Sequence, residues 1–325
     1  MSAAAPDPAT GPCPCPDGTA RPAEDHLRLH AARALEALVR HGTDLSVESV
    51  HDARTSLRRL RAAVRTVPAL VEDPFAADAA LQEVALALGA VRDVDVLAEL
   101  LLPAADALVP VEDAEPARAL LGRELAARRG AALSALGHAA GTPRWRQAES
   151  LLDDWARTPP PLPALDAARV LEHAEEVTDR RLAAAGADPA ALHRARKAAK
   201  RWRYTAELLI ADPAAPAHHR RAEELQELLG RIQDLEIARG LLDELRADDA
   251  GSGAGHAGRA TITVEPAALR GLAMLRRALA ARQRDLISAV AARTDRSRPE
   301  SPRVRDATRG SAAPRGPDDC PAPGR

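Results

Sequence analysis

The sequence predicts an all-α protein made of two pseudo-symmetric helical bundles that arose by internal duplication. The first observation is the composition, because 46% of the 325 residues are hydrophobic but only 2% are aromatic. A core of Leu, Val and Ala is typical of packed helices, whereas strands favour β-branched and aromatic residues. The second observation is the helical spacing of apolar residues along most of the chain. The third is a set of motifs that occurs once in each half.

Five helices are predicted in the first half, after a segment at residues 1–23 whose Pro, Ala and Gly content predicts a disordered tail. Helical spacing, a capping Ser46 and a break at Pro103 set the bounds of these helices. The predicted helices span residues 24–40, 46–67, 74–102, 115–136 and 143–156. Together they form repeat one, residues 24–157.

A Pro-rich linker at residues 158–164 separates repeat one from repeat two, which spans residues 165–292. Repeat two contains a Gly- and Ala-rich segment at residues 248–260 that predicts a flexible insertion. Its predicted helices span residues 165–185, 189–211, 216–247 and 265–292. Residues 293–325 have almost no apolar content and predict a second disordered tail, and residues 261–264 (TITV) are the only strand candidate.

The cysteines and the hydropathy indicate the compartment. Cys13, Cys15 and Cys320 all lie in the predicted tails, which argues against a disulfide framework and fits a reducing cytosol. Two thiols in a Pro-rich tail make an incomplete metal site. No run approaches the ~20 apolar residues of a membrane helix, and the start of the chain lacks a signal-peptide pattern. We therefore expect a cytoplasmic protein that does not contact a membrane.

Two pairs of motifs indicate the duplication. Residues 50–61 read VHDARTSLRRLR, and residues 192–203 read LHRARKAAKRWR. Residues 88–96 read LGAVRDVDV, and residues 229–237 read LGRIQDLEI. The two pairs occur in the same order and at nearly the same offset, so we expect the halves to pack with approximate two-fold symmetry.

The repeated helix carries a stripe of basic side chains in each half. With 100° per residue, five side chains of the first copy fall within about 80° of one another. These are His51, Arg54, Arg58, Arg61 and Arg65. The second copy presents His193, Arg196, Lys200 and Arg203 in the same way.

The stripe is either a solvated face beside a core face or a ligand site. Acidic residues are scarce on both copies, the stripe adjoins the apolar stripe, and both halves keep it. Unpaired cations this close repel one another, and a bound polyanion relieves the repulsion. Guanidinium groups match phosphate oxygens, and a linear array of cations suits a linear polyanion. The pattern therefore favours a polyanion site.

These motifs resemble those of the CHAD family, whose name refers to histidines in an α-helical domain. The family pattern "hHxxRxxxRRLR" fits residues 50–61, "LHxxRKxxKRxRYxxE" fits residues 192–207, and "LGxxRDxDV" fits residues 88–96. The resemblance covers about residues 25–290. It implies the CHAD fold, with two helical bundles around a basic groove or pore. It also implies binding of inorganic polyphosphate and association with polyphosphate granules.

By motif position, the resemblance assigns polyphosphate binding to both stripes and to one further lysine. The assigned residues are His51, Arg54, Arg58, Arg61, Arg65, His193, Arg196, Lys197, Lys200 and Arg203. Four further candidates are Arg59, Arg201, Arg92 and Tyr204. No metal or cofactor is expected.

Two other classes of function stay open. The pairs Asp93/Asp95 and Asp234/Glu236 either orient the arginine stripe or hold Mg²⁺, as a metal-dependent phosphohydrolase of polyphosphate or nucleotides would require. A basic stripe also permits generic polyanion or nucleic-acid binding, although scarce aromatics disfavour stacking on single strands. No catalytic motif is found, and the ExExK signature of the CYTH domain of some family members is absent. We therefore expect a stand-alone binding module that is not an enzyme.

Overall fold

The computed structural model describes residues 20–39, 46–251 and 265–296, and all the regular structure in these ranges is helical. Nine α-helices lie in the described ranges: α1 Ala20–Val39, α2 Val47–Thr66, α3 Pro74–Asp106, α4 Val111–Ala139, α5 Pro143–Arg157, α6 Ala167–Ala183, α7 Pro189–Leu208, α8 Ala215–Gly251 and α9 Pro266–Arg296. A short 3₁₀ turn, Pro68–Leu70, joins α2 to α3. The predicted all-α class is confirmed. Residues 261–264, the strand candidate, lie outside the described residues.

Several helices begin where a side chain caps the free backbone N–H groups. Ser46 accepts a hydrogen bond from the backbone N–H of Ser49 at the start of α2, as the sequence predicted for this residue. Asp73 before α3 and Asp188 before α7 each accept two backbone N–H groups, and a proline follows each of them at the first helical position. The caps explain why these starts were predicted within a residue or two.

The helix ends differ from the predictions at several positions. Pro103 does not break α3, which continues to Asp106 because Leu101 and Ala105 are fully buried and hold the last turn against its neighbours. A proline near a helix end removes only one hydrogen bond, and packing offsets that loss. In the same way α4 contains Pro116 and begins at Val111, four residues before its predicted start.

Three helices extend into segments that the sequence assigned to tails or to the insertion. Helix α1 begins at Ala20, inside the predicted tail 1–23, and α9 runs to Arg296, past the predicted end at 292. Helix α8 continues to Gly251, so the first residues of the predicted insertion 248–260 are helical. The remainder of that insertion and of both tails lies outside the described residues.

The helices of the two halves pack in the same order. Helix α1 packs on α2, α2 on α3 and α3 on α4, and α6, α7, α8 and α9 repeat this sequence of contacts. Corresponding helices meet between the halves, because α2 contacts α7, α3 contacts α8 and α4 contacts α9. Helix α5, which packs on α1 and α3, has no counterpart in the described part of the second half. The duplication itself stays an interpretation of the sequence, and this order of packing supports it.

The apolar core is divided into three clusters, two of which contain residues of both halves. The first cluster joins α1, α2, α5 and the first part of α3 to Leu171 of α6 and to the end of α7, and Trp145 is fully buried in it. The third joins α7 with the first part of α8 and the end of α9. The second joins the last part of α3 and α4 to the last part of α8 and α9, through Leu121 and Leu272 among others. The halves are therefore held together by a shared core in addition to residues 158–166, which contain no helix.

None of the helices described is both long enough and apolar enough to cross a bilayer.

Candidate functional site

A cavity of about 730 Å³ lies where α2 of the first half approaches α7 of the second. Helices α3 and α8 form its other walls, so corresponding helices of both halves enclose it. Nine arginine or lysine side chains line the cavity, against two carboxylates, Asp93 and Asp234. The electrostatic potential inside it is therefore strongly positive.

The structure brings most of the sequence-predicted residues together in this cavity. The predicted binding residues that line it are His51, Arg54, Arg58, Arg61, Arg65, His193, Arg196, Lys197 and Lys200. Three of the four further candidates, Arg92, Arg201 and Tyr204, also line it. Arg203 and Arg59 do not.

Arg203 and Arg59 lie instead on the far side of Tyr204, in an ion-pair network around Glu207. The guanidinium of Arg59 pairs with Glu207, and Arg203 donates from Nε to Glu207 Oε1 at 3.0 Å. Both guanidinium groups stack over the Tyr204 ring, at 5.6 and 6.0 Å from its centroid. Glu207 occupies the position of Arg65 in the repeat, and its negative charge draws both arginines out of the cavity. Motif position alone does not predict the placement of Arg203, because the comparison of motifs does not account for the acidic Glu207 one helical turn later.

Glu207 is ionised over a wide pH range. Burial acts to raise the pKa of this carboxyl, but the hydrogen bond from Arg59 and the charges of Arg59 and Arg203 outweigh it and hold the pKa below its ordinary value. The network therefore joins α2 to α7 beside the cavity, without contributing a cation to it.

Arg54 and Arg196 are held in the same way in the two halves. Arg54 Nη2 lies 2.8 Å from Asp93 Oδ1, and Arg196 Nη2 lies 3.8 Å from Asp234 Oδ1. Each guanidinium also lies against a glycine of the LG motif. A Cβ at Gly89 would be 3.4 Å from Arg54 Nε, and a Cβ at Gly230 would be 3.7 Å from Arg196 Nε.

Gly89 and Gly230 thus leave room for the two guanidinium groups, and Asp93 and Asp234 pair with them, as one of the two interpretations of these carboxylates expected; the glycines were not assigned to the site from the sequence. The signal that finds them is their recurrence at the offset of the basic motif. Burial lowers the pKa of both Arg54 and Arg196, and neighbouring arginines lower it further. The Nε of Arg196 is buried beside Gly230 with no hydrogen-bond partner among the described residues, which adds to the cost of burying this guanidinium.

The arginines at one end of the cavity are anchored by α3. Arg61 and Arg65 each donate from Nε to Asp78 Oδ1, at 2.9 and 3.0 Å. Arg61 also donates from Nη2 to Gln82 Oε1, which lines the cavity, at 3.0 Å. Their orientation is fixed before any ligand arrives, which lowers the entropy lost on binding.

Arg58 and Lys200 occupy equivalent positions in the repeat and lie in the middle of the cavity. Neither makes a hydrogen bond or an ion pair to any residue that the structure describes. Burial lowers the pKa of Lys200 from 10.5 to about 6, and the charges of Arg196, Arg58 and Arg54 act in the same direction. Burial likewise raises the pKa of Asp234, although Arg196 and Lys200 oppose the shift.

Of the two histidines that line the cavity, His193 is held by a hydrogen-bonding partner. His193 Nδ1 lies 2.7 Å from Gln233 Oε1, and burial lowers the pKa of this imidazole. Gln233 takes the position of Arg92 in the repeat, and Arg92 itself is paired with Glu99. His51 lines the same cavity from an exposed position on α2.

The two members of each carboxylate pair contact different partners. Asp93 and Asp234 face the arginines of the cavity, whereas Asp95 is buried against Arg129 and Glu236 accepts a hydrogen bond from Gln283. Members of each pair therefore point to different partners. Among the described residues, no three His, Cys, Asp or Glu side chains converge as a metal site would require.

Comparison with known proteins places the chain beside helical domains of one family. The family model described as the CHAD domain matches residues 26–243. The crystal structure of the CHAD domain from the plant Ricinus communis is 26% identical, with a TM-score of 0.59 over 85% of this chain and 92% of that one. PptA from Streptomyces chartreusis is 22% identical, with a TM-score of 0.63 over 86% of this chain and 98% of that one, a similarity of fold. No curated protein sequence matches the chain.

Proposed function

This chain belongs to the CHAD domain family, and from that premise we propose that it binds inorganic polyphosphate in the basic cavity between its two halves. The observation that carries the proposal is the pair Arg58 and Lys200, basic side chains that make no ion pair to a described residue in a cavity lined by nine arginine or lysine side chains and two carboxylates. Phosphate oxygens supply the missing negative charge.

The shape of the cavity favours a chain of phosphates over a single phosphate. The cations follow α2 from His51 to Arg65, and at ~1.5 Å per residue this helix face is about 21 Å long. A single phosphate would contact only a few of these basic side chains, whereas an extended polyanion contacts several at once. The cavity contains guanidinium groups that pair with phosphate in a bidentate manner, which adds orientation to charge.

Binding without hydrolysis is part of the proposal. Two carboxylates line the cavity, Asp93 on α3 and Asp234 on α8, and each is paired with an arginine. The alternative, a metal-dependent phosphohydrolase, is tested by release of inorganic phosphate from the titrated mixture with Mg²⁺ or Mn²⁺. Phosphate release above the buffer blank would contradict simple binding.

The experiment that tests the function is calorimetric titration with long-chain polyphosphate, beside duplex DNA of matched charge. We expect saturable binding of polyphosphate and weaker binding of DNA, because a duplex about 20 Å wide does not enter a cavity of about 730 Å³. Equal binding of the two ligands would reduce the function to generic polyanion affinity.

Charge reversal tests the location of the site. Replacing Arg58 and Lys200 together with Glu is expected to weaken polyphosphate binding by a factor of about 100 or more, from the loss and inversion of two central charges. Arg146 and Arg282 provide the matched control, because both are exposed and neither makes an ion pair to a described residue. Their double replacement with Glu removes the same net charge and is expected to change affinity by about threefold or less. Equal losses from both pairs would mean that only diffuse charge matters.

A cytoplasmic location on polyphosphate granules follows as part of the same proposal. A granule presents many chains, so a protein with a cavity for one chain is retained at the surface. A fluorescent fusion is expected to coincide with the granules, and the fusion carrying the Arg58 and Lys200 replacements is expected to spread through the cell.

A further inference from the structure

Lys200 contributes an amine to a cluster in which its neighbours Arg54, Arg58 and Arg196 contribute guanidinium groups. Arg54 and Arg196 form ion pairs with Asp93 and Asp234, whereas Arg58 and Lys200 form no ion pair within 4.0 Å with any described residue, and Asp234 acts on Lys200 from a greater distance. A guanidinium stays protonated under all ordinary conditions, but a lysine ammonium loses its proton when its surroundings disfavour charge. Lys200 is therefore the group in this cluster that can relieve the repulsion by releasing a proton.

The residue type at this position stands out against the rest of the chain. Of 45 basic residues, only Lys197 and Lys200 are lysine, and the equivalent of Lys200 in the first half is Arg58. Lys197 is exposed at the rim, whereas Lys200 is half-buried. A lysine thus occupies the central position in a protein that otherwise uses arginine almost throughout.

The charged groups around Lys200 come from several helices, and cations prevail among them. Arg54 and Arg58 face it from α2, Arg196 from its own helix α7, and Asp234 from α8. Asp93 on α3 forms an ion pair with the guanidinium of Arg54. The remaining helices packed on α7 direct their ionisable groups elsewhere: Arg181 of α6 acts on Arg201, and His26 and His30 of α1 lie near Arg59 and Glu207.

Burial and these cations lower the pKa of Lys200 to about 6, so the amine is largely neutral at pH 7.5 in the free protein. Phosphate oxygens arriving between Arg58 and Lys200 would reverse both causes, because they bring negative charge and hydrogen-bond acceptors to the Nζ atom. The pKa of this amine then returns towards its ordinary value near 10.4.

We propose that Lys200 enters the reaction as a neutral amine and takes up one proton from solution when a polyphosphate chain binds between it and Arg58. This inference rests on the proposed function. The proton passes from buffer to Lys200 Nζ, and no bond of the ligand is broken. Binding is therefore coupled to pH. As the pH rises from the pKa of the free amine to that of the bound amine, the affinity for polyphosphate falls by up to about tenfold per pH unit.

Calorimetry in buffers of different ionisation enthalpy measures the coupling directly. Wild-type protein is titrated with long-chain sodium polyphosphate at about pH 8 in Hepes and in Tris at equal ionic strength, and the dependence of the heat on buffer gives the protons taken up. We expect close to one proton per site. Terminal phosphates of the ligand contribute equally to every variant, and any protons they release have the opposite sign.

Two conservative variants separate Lys200 from every other source of protons. Lys200→Arg keeps the charge but cannot release its proton, so it is expected to bind polyphosphate with the uptake abolished. Arg146→Lys on α5, an exposed position outside the cavity, is the control and is expected to keep the wild-type uptake. If Lys200→Arg fails to fold, Lys200→Met replaces it in the comparison, because methionine cannot take up a proton at this position either.

Failure of proton uptake by Lys200 and failure of polyphosphate binding would give different results. Binding with no proton uptake by the wild-type protein, or with the same uptake in Lys200→Arg, would overturn the role of Lys200 and leave polyphosphate binding in place. Absence of binding by the wild-type protein would overturn the proposed function itself.

Discussion

Single residues of the cavity are placed where they favour a ligand and oppose the stability of the free protein. Arg58 and Lys200 lie close to other cations without counter-ions among the described residues, and the Nε of Arg196 is buried without an acceptor. Uncompensated buried charge raises the free energy of the folded state relative to the unfolded chain, in which water solvates the same groups. Removing a group that must either carry such a charge or give up its proton on folding should therefore stabilise the free protein.

Replacement of Lys200 with Met is expected to raise the melting temperature of the free protein at about pH 7 by roughly 3 °C, as a gain of about 1 kcal/mol would. The folded amine has a pKa of about 6, below its unfolded value of 10.5, so the unfolded chain binds more protons between these pH values. Wild-type stability therefore rises with pH across that window through this group, and the advantage of the variant shrinks towards about pH 9.

Thermal unfolding of the variant, the wild-type protein and Lys197→Met at several pH values checks this expectation. Lys197 is exposed, so its replacement should have little effect. A stabilisation by Lys200→Met that did not change with pH would show that packing, and not the charge, is responsible.

At the scale of helices, the closest contact between the halves is that of α4 with α9. Gly271 on α9 packs against α4 so closely that a Cβ there would lie 2.6 Å from the carbonyl oxygen of Asp113 and 2.7 Å from Ala117 Cβ. Beside it, Arg270 donates from Nη2 to the buried Asp113 Oδ1 at 2.8 Å. The glycine thus sets the distance at which the shared core of the two halves is packed.

Gly271→Ala is expected to destabilise the protein by about 2 kcal/mol, because the backbone of α4 has no room to move without opening the shared core. Gly240→Ala on α8 is the matched control. Gly240 is exposed, a Cβ there would meet no atom within 4 Å, and alanine should stabilise the helix by up to about 1 kcal/mol. Urea unfolding of both variants measures the difference, and a Gly271→Ala protein as stable as wild type would contradict the close packing.

At the scale of the whole molecule, one cavity gathers the charge of both halves. The net charge of the chain is -2, yet nine cations and two carboxylates line the cavity, an excess of seven cations. The acidic residues that balance the total lie elsewhere on the molecule. A ligand at the cavity therefore experiences a cationic protein, although the composition describes a nearly neutral one.

The affinity for polyphosphate is expected to fall steeply with salt. With about 0.7 counterions released per neutralised phosphate, as for single strands, an excess of seven cations gives a slope of log K against log[salt] of about −5. Titrations at several NaCl concentrations measure the slope. Arg58→Gln should make it shallower by about one, and a wild-type slope weaker than about −2 would mean that few of the cations contact the ligand.

Much of the site could be predicted from the sequence because its residues recur at helical spacing in two copies. Nine of the ten assigned binding residues line the cavity, among them Arg58 and Lys200. The exception is Arg203, whose partner Glu207 changes the local charge in one repeat only. Helix starts were predictable for a similar reason, since the caps Ser46 and Asp188 are local, whereas the continuation of α3 past Pro103 depends on packing of distant residues.

The sequence by itself determined the all-α class, the order of the helices and the chemical type of the basic stripe, because each depends on spacing along one chain. Only the tertiary structure decided which cations have counter-ions, because Asp93 and Asp234 reach Arg54 and Arg196 from other helices. It also decided that Lys200 is left among arginines without an acceptor from the described residues, with its pKa lowered to about 6. Charge along a sequence is additive, but the energy of a charge depends on its distance from others and from water, which folding alone sets.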